Sequence, residues 1–325
     1  MRRPRLYEAL ALGNAILVAA LLGFRFGVNV GASLAAQLPM LAIAAGLVAA
    51  GVAVRTLSLA RTGGAARARL YLRRMARPAA LADAAGFVVA MTLVSYGYSW
   101  LKVFVPRLHP VLFDLLLAVA DEVVHFGVNP NRFLIELFPS SGFWRVVDLY
   151  YAQFLLTIAV AFAWLGAALS FRERARFAAG FALLWIVGGW AYVGTPSLGP
   201  CYVFPADYAA VRPEMPLQTQ TQKLLLAQYH AVTEGSKEGG TIGLNAAFGI
   251  GAMPSLHVAG QAFVAFFARR RNPRFSFFFG LLTAFTFLGS LITGWHYAVD
   301  GYAGVLLGWA AWKLGERLGG ESAHA

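Results

Sequence analysis

Gly251-Ala-Met-Pro-Ser-Leu-His257 opens an apolar run that continues to about residue 269, and Gly294-Trp-His296-Tyr-Ala-Val-Asp300 opens another that continues to about residue 315. A third apolar run, 275–294, lies between them. Crossing a bilayer as a helix takes roughly 20 apolar residues. If all three runs cross, they alternate in direction, and both polar openings fall at the same end. His257 and His296 then reach one depth from two separate helix starts. Polar side chains at that depth are expensive and usually functional. The sequence therefore reads as an all-α membrane bundle with chemistry at one face.

Composition agrees. Of 325 residues, 59% are hydrophobic and 13% charged, and mean hydropathy is +0.62. A soluble domain carries about 25% charged residues, so one water-facing domain is excluded. Toward the N-terminus the same reading finds runs at about 6–24, 32–54, 80–105, 145–171 and 175–196. Arg2, Arg3 and Arg5 precede the first run as they would in a signal peptide, but no small-residue cleavage site follows, so a retained anchor is expected.

The net charge of +12 would point to nucleic acid in a soluble chain. Here the cations sit between apolar runs and crowd alternate loops: the N-terminus, 55–77, 172–176, 269–274 and 313–317. Cationic loops stay in the cytoplasm. Both termini are expected inside, the two histidines outside, and no nucleic acid partner is expected. Residues 61–79 read as a basic cytoplasmic loop that touches anionic lipid.

Two longer segments face the outer side. Segment 106–144 carries Asp114, Asp121, Glu122 and His125 among Leu, Val and Phe, a spacing that suits an amphipathic helix on the membrane. Segment 197–253 is rich in Gly, Pro, Gln and Thr and is expected to fold over the outer mouth. Its lone cysteine, Cys201, excludes an internal disulfide and is expected to be reachable by thiol reagents from outside.

The chemistry follows from the helix starts. Pro254 suits the first turn of a helix. The amides of Ser255, Leu256 and His257 would then lack helical acceptors and could bind an anion. The Ser255 hydroxyl adds a donor, and His257 adds a proton carrier. His296 and Asp300 are four apart, on one helix face. A carboxylate there can hold one ring nitrogen and leave the other free as a nucleophile. The same three side chains would also suit zinc, although a nucleophilic histidine needs neither metal nor cofactor. Asp148 either lines the cavity or pairs with Arg145. Trp295 and Tyr297 belong to an interfacial aromatic belt or shape the pocket, and Tyr192 and Pro200 stand at the neighbouring span end.

Pro254-Ser-Leu-His257 followed by His296-Tyr-Ala-Val-Asp300 resembles the second and third signatures of the type 2 phosphatidic acid phosphatase superfamily. The Gly-Ala-x-Pro-Ser-Leu-His form, with Tyr192-Val-Gly-Thr-Pro-Ser-Leu-Gly-Pro200 before it, is similar to the inositol phosphorylceramide synthase-like branch. The resemblance implies a six-helix catalytic core over 80–317, a two-helix extension and basic loop over 1–79, and a short tail, 318–325. It implies that His296 takes the phosphoryl group and Asp300 orients it. His257 would protonate the leaving alcohol and then deprotonate the incoming one. Ser255 and the Leu256 amide would hold phosphate oxygens.

Two cations of the phosphatase pattern are missing. The Arg six residues before the nucleophile is Ser290 here. The Lys followed after six residues by Arg-Pro is also absent: Arg77-Pro78 is preceded at that spacing by Leu70, and Arg212-Pro213 by Pro205. A phosphomonoester approaches a dianion and demands several cations, whereas a phosphodiester is a monoanion and needs fewer. The loss points to a diester donor, with Arg212, Lys223 and Lys237 as possible substitutes in the outer loop. The leading expectation is transfer of a phospho-alcohol head group from a phospholipid to a lipid alcohol such as ceramide or diacylglycerol. The alternatives are a lipid phosphatase acting on phosphatidic acid or a polyprenyl (pyro)phosphate, and a non-catalytic lipid transporter. The Ala- and Arg-rich usage suggests a bacterial inner membrane.

Overall fold

The structure is a computed structural model, and it describes residues 5–152, 154–168, 171–234 and 249–321. Lys237 and part of the 197–253 segment lie outside the described residues. Among those described, the regular structure is entirely helical. Two compact units emerge: Met1–Gly97 with Leu156–Leu183 and Trp312–Ala325, and Tyr98–Leu155 with Leu184–Ala311.

The first unit contains α1 (Leu6–Phe26), α2 (Val30–Ala35) and α3 (Leu38–Met75), and α4 (Pro78–Leu108) begins in it. α1 ends at Gly27, whose left-handed backbone (φ 66°) turns its N–H back to the Gly23 carbonyl. α2 starts at Asn29, whose side chain accepts the Ala32 amide. Leu38, Ile43, Val54 and Leu57 on α3 are all exposed, as expected for a helix facing lipid. The 61–79 stretch is not a loop up to its last residues: α3 continues to Met75, broken only at Gly64 (φ 78°). Arg and Ala are both good helix formers, which the compositional reading passed over. Asp83 on α4 is buried and pairs with Arg5 and Arg174.

The second unit carries α5 (Asp114–Val124), α6 (Pro130–Leu137) and α7 (Ser141–Ala152). Next come α8 (Phe154–Ala168) and α9 (Phe171–Gly194), which, like α4 and α14, contribute residues to both units. α10 (Pro200–Val203) leads through two 3-10 turns to α11 (Pro216–Glu234). α12 (Leu256–Ala268), α13 (Pro273–Ile292) and α14 (Ala298–Glu321) follow. Leu134, Trp144, Val147, Val211, Met215, Leu291, Ile292 and Ala298 form a shared apolar core.

Among the described residues, five stretches are long and apolar enough to cross a membrane: α1, Val30–Met75, α4, Arg172–Gly194 and α13. α7 and α8, bent by 46°, make a sixth if they form one broken span. α12 has 13 residues, about 20 Å at 1.5 Å per residue, shorter than a bilayer core. It is buried on nearly every side, so protein rather than lipid sets its length. α14 has the length but carries Asp300, Lys313, Glu316 and Arg317.

α5 is amphipathic in the reverse sense of a soluble helix. Asp114, Leu117 and Asp121 face inward, while Leu115, Leu116, Val119 and Val123 are exposed. An apolar outer face suits the membrane interface, and the acids turn inward because they have amides to bind.

Candidate active site

α12 and α14 approach closely because α14 presents glycines. A Cβ on Gly304 would lie 2.5 Å from the Ser255 carbonyl oxygen, and one on Gly308 would lie 2.6 Å from that of Ala259. Glycines four apart let two helix backbones touch. That contact aligns the two helix starts, and the Ser255 amide donates to the Asp300 carbonyl at 2.9 Å.

The two imidazoles meet there. The His257 and His296 ring centroids lie 6.0 Å apart with planes at 64°. His296 is 2% exposed, whereas His257 is only partly buried. His296 Nδ1 lies 3.4 Å from Asp300 Oδ2, within ion-pair reach and long for a hydrogen bond. The other ring nitrogen, Nε2, is thereby left for chemistry. Such contacts commonly tighten when substrate binds.

His296 precedes α14 rather than lying in it. Asp300 is the third helical residue and its Oδ2 accepts the Tyr297 amide at 2.9 Å, one half of a capping box. The next two amides, of Ala298 and Val299, donate to Asp121 Oδ2 and Oδ1 at 2.7 and 2.8 Å. Burial pushes the Asp121 carboxyl up from its ordinary value, and these two amides oppose that rise. Asp114 accepts the Leu198 and Gly199 amides and the Tyr297 hydroxyl. Asn131 donates to the carbonyls of Leu291 and His296, and Gln222 donates to that of Thr293. The turn that carries His296 is thus braced from three helices. In the sequence Asp114 and Asp121 read only as polar members of an amphipathic helix on the membrane, not as braces of this turn. Asn131 and Gln222 gave no signal.

Several expectations need correction. Pro254 precedes the N-cap, Ser255, and α12 starts at Leu256. The Ser255 amide is taken by Asp300, and its hydroxyl accepts the Val258 amide at 3.5 Å. The Leu256 amide lies beside the Tyr192 phenol. The Ser255 amide is therefore not open, and the cradle lacks one of its three expected donors. Asp148 neither pairs with Arg145 nor faces an opening: it accepts the Leu217 and Gln218 amides at the start of α11, and Arg145 pairs with Glu214. Trp295 donates its indole N–H to Gln218 at 2.8 Å, and Tyr297 is buried, so neither is a free belt residue.

Two of the outer-loop cations lie within the described residues. Arg212 donates to the Cys201 carbonyl at 2.7 Å, and Lys223 is exposed. Pro200 begins α10, and the amide of Cys201 after it donates to the Gly294 carbonyl. Cys201 is fully buried, so it is not the accessible thiol expected of an outer loop. Burial pushes that thiol well above its ordinary range. Ser290, at the position of the missing Arg, is buried and donates to the Phe287 carbonyl at 2.7 Å.

Tyr151, which sequence reading did not single out, has its ring centroid 5.1 Å from that of His257. Residues 116–314, more than half of the chain, match the family model described as PAP2 superfamily. No curated protein and no solved structure matches the chain.

Proposed function

The chain belongs to the PAP2 superfamily, whose chemistry is that of lipid phosphatases and phosphotransferases, and we propose that it is a head-group phosphotransferase of the inositol phosphorylceramide synthase-like kind. Its donor is a phospholipid, and its acceptor is a lipid alcohol such as ceramide or diacylglycerol. The observation that supports this reading best is the His257–His296 pair, 6.0 Å apart, with Asp300 behind the second ring.

In the first half-reaction Nε2 of His296 attacks phosphorus. The bond from phosphorus to the diacylglycerol oxygen breaks, and protonated His257 gives that oxygen its proton. A phospho-alcohol remains on His296. In the second half, neutral His257 takes the proton of the incoming lipid alcohol, whose oxygen attacks phosphorus. The P–N bond breaks and restores the imidazole lone pair. Asp300 stays ionised and balances the charge that develops on His296. Ser290 puts no cation where the phosphatase pattern has one, and a monoanionic diester suits a site so reduced in charge.

We read α12 and α14 as the sixth and eighth of eight spans, closed in by protein, with both termini cytoplasmic and the histidines on the periplasmic side of a bacterial inner membrane. The test is purified protein incubated with labelled phospholipids and lipid alcohols, with products identified by mass. Transfer of a phosphorylated head group, with an acid-labile phospho-protein absent from His296→Ala, is expected. Release of phosphate from phosphatidic acid faster than any head-group transfer would favour the phosphatase reading instead.

A further inference from the structure

A phosphoryl site needs fixed positive charge, and the sequence places none of it where the family pattern does. One half-buried cation of the second unit is nevertheless held against aromatic rings. Lys102 sits near the last turns of α4, with its Nζ 5.7 Å from the Tyr98 ring centroid and 5.6 Å from that of Tyr192. Tyr98 and Lys102 are four apart and share a helix face. Tyr192 is 1% exposed, and its phenol adjoins the first amide of α12. The ammonium is therefore directed inward, over the aromatic floor at the start of α12, rather than along the helix toward solvent.

The approach to His257 packs on the same residue. A Cβ on Gly249 would meet Lys102 Cγ at 2.8 Å, and one on Gly251 would meet the Tyr192 ring at 2.8 Å. The strand of chain that ends at the catalytic motif thus runs across Lys102 and Tyr192. Among the described residues Lys102 has no carboxylate partner. Ring faces attract an ammonium only modestly, and a charge in a membrane helix is normally paired or faces a cavity used by an ion or substrate. Nearby, the Tyr151 hydroxyl is buried with no hydrogen-bond partner among the described residues, a second donor group beside His257.

We propose that Lys102 is the phosphate-binding cation of this site, contacting a non-bridging oxygen of the phosphodiester while His296 attacks the phosphorus and His257 protonates the leaving oxygen. It takes the place of the two basic positions that the family pattern has and this chain lacks. The proposal rests on the phosphotransferase reading for its substrate but not for its test.

Lys102→Met, Lys102→Gln and Lys102→Arg in the full chain, purified in detergent, supply that test, with donor KM and inhibition by orthovanadate as readouts. Loss of one charged hydrogen bond to phosphate is expected to raise donor KM about 10- to 100-fold and to weaken vanadate inhibition in parallel. Lys102→Arg keeps the charge and should stay within about 5-fold of wild type. Either neutral variant with wild-type KM and wild-type vanadate sensitivity overturns the proposal. If one neutral variant unfolds, the other is read alone, and vanadate protection against thermal unfolding gives the same comparison without turnover. Continued turnover by His296→Ala would remove the nucleophile reading while the vanadate comparison still decides Lys102.

Discussion

At the level of single residues, the candidate chemistry rests on two rings and a carboxylate. His296→Ala is expected to abolish transfer and to prevent trapping of a phospho-protein. His257→Gln should lower turnover about 10²- to 10⁴-fold, the usual contribution of a proton-transferring group. Asp300→Asn keeps the shape but not the charge, and a loss of the order of 10³-fold is expected, read as kcat with little change in KM. Cys201 gives an independent check on packing: with no exposed surface and its thiol held protonated by burial, it should resist maleimide at neutral pH and react once the protein is unfolded. Rapid labelling of the native protein would mean that the Gly294–Cys201 contact is wrong. His257, His296 and Asp300 were legible as candidates because each stands at the polar opening of an apolar run, with His296 and Asp300 four apart. The fate of the Ser255 amide was not legible, because its acceptor, the Asp300 carbonyl, belongs to a helix distant in the chain.

At the level of elements, the site depends on how helix ends are tied off. Asp121 satisfies two buried amides at the start of α14. Asp121→Ala would leave both without acceptors, at a cost of about 1–3 kcal/mol each where water cannot reach them. A lower Tm together with a lower kcat is expected, because the same turn carries His296. Asp121→Asn should recover part of both. The α12–α14 contact gives a second handle. Gly304→Val places a branched side chain where even a Cβ would sit 2.5 Å from the Ser255 oxygen. Overpacking of this kind costs about 1–3 kcal/mol and would push the two histidines apart, so activity should fall further than Tm suggests. A Gly304→Val protein with wild-type turnover would show that the histidines do not depend on this contact. The reversed amphipathicity of α5 was only half visible. Its period marked a helix, but whether the acids face water or protein depends on which amides other segments leave open.

At the level of the whole molecule, the exposed Leu, Ile, Val and Phe on α1, α3 and α13 require lipid or detergent around them. The protein should resist extraction by alkaline carbonate and should come into solution only with detergent. Release by carbonate alone would end the membrane reading. From the sequence alone came the helical class, the membrane setting and the candidate residues of the site, because all three are written in local pattern: apolar run length and helix-start motifs. Only the tertiary structure decided that α12 is a short helix enclosed by protein, that Asp114, Asp121, Asn131 and Gln222 brace the His296 turn, that Asp148 and Arg212 serve the outer segments, and that Lys102 faces inward. Each of these depends on which distant backbone group or ring a polar side chain meets, and such a meeting is fixed by packing between helices rather than by any pattern along one of them.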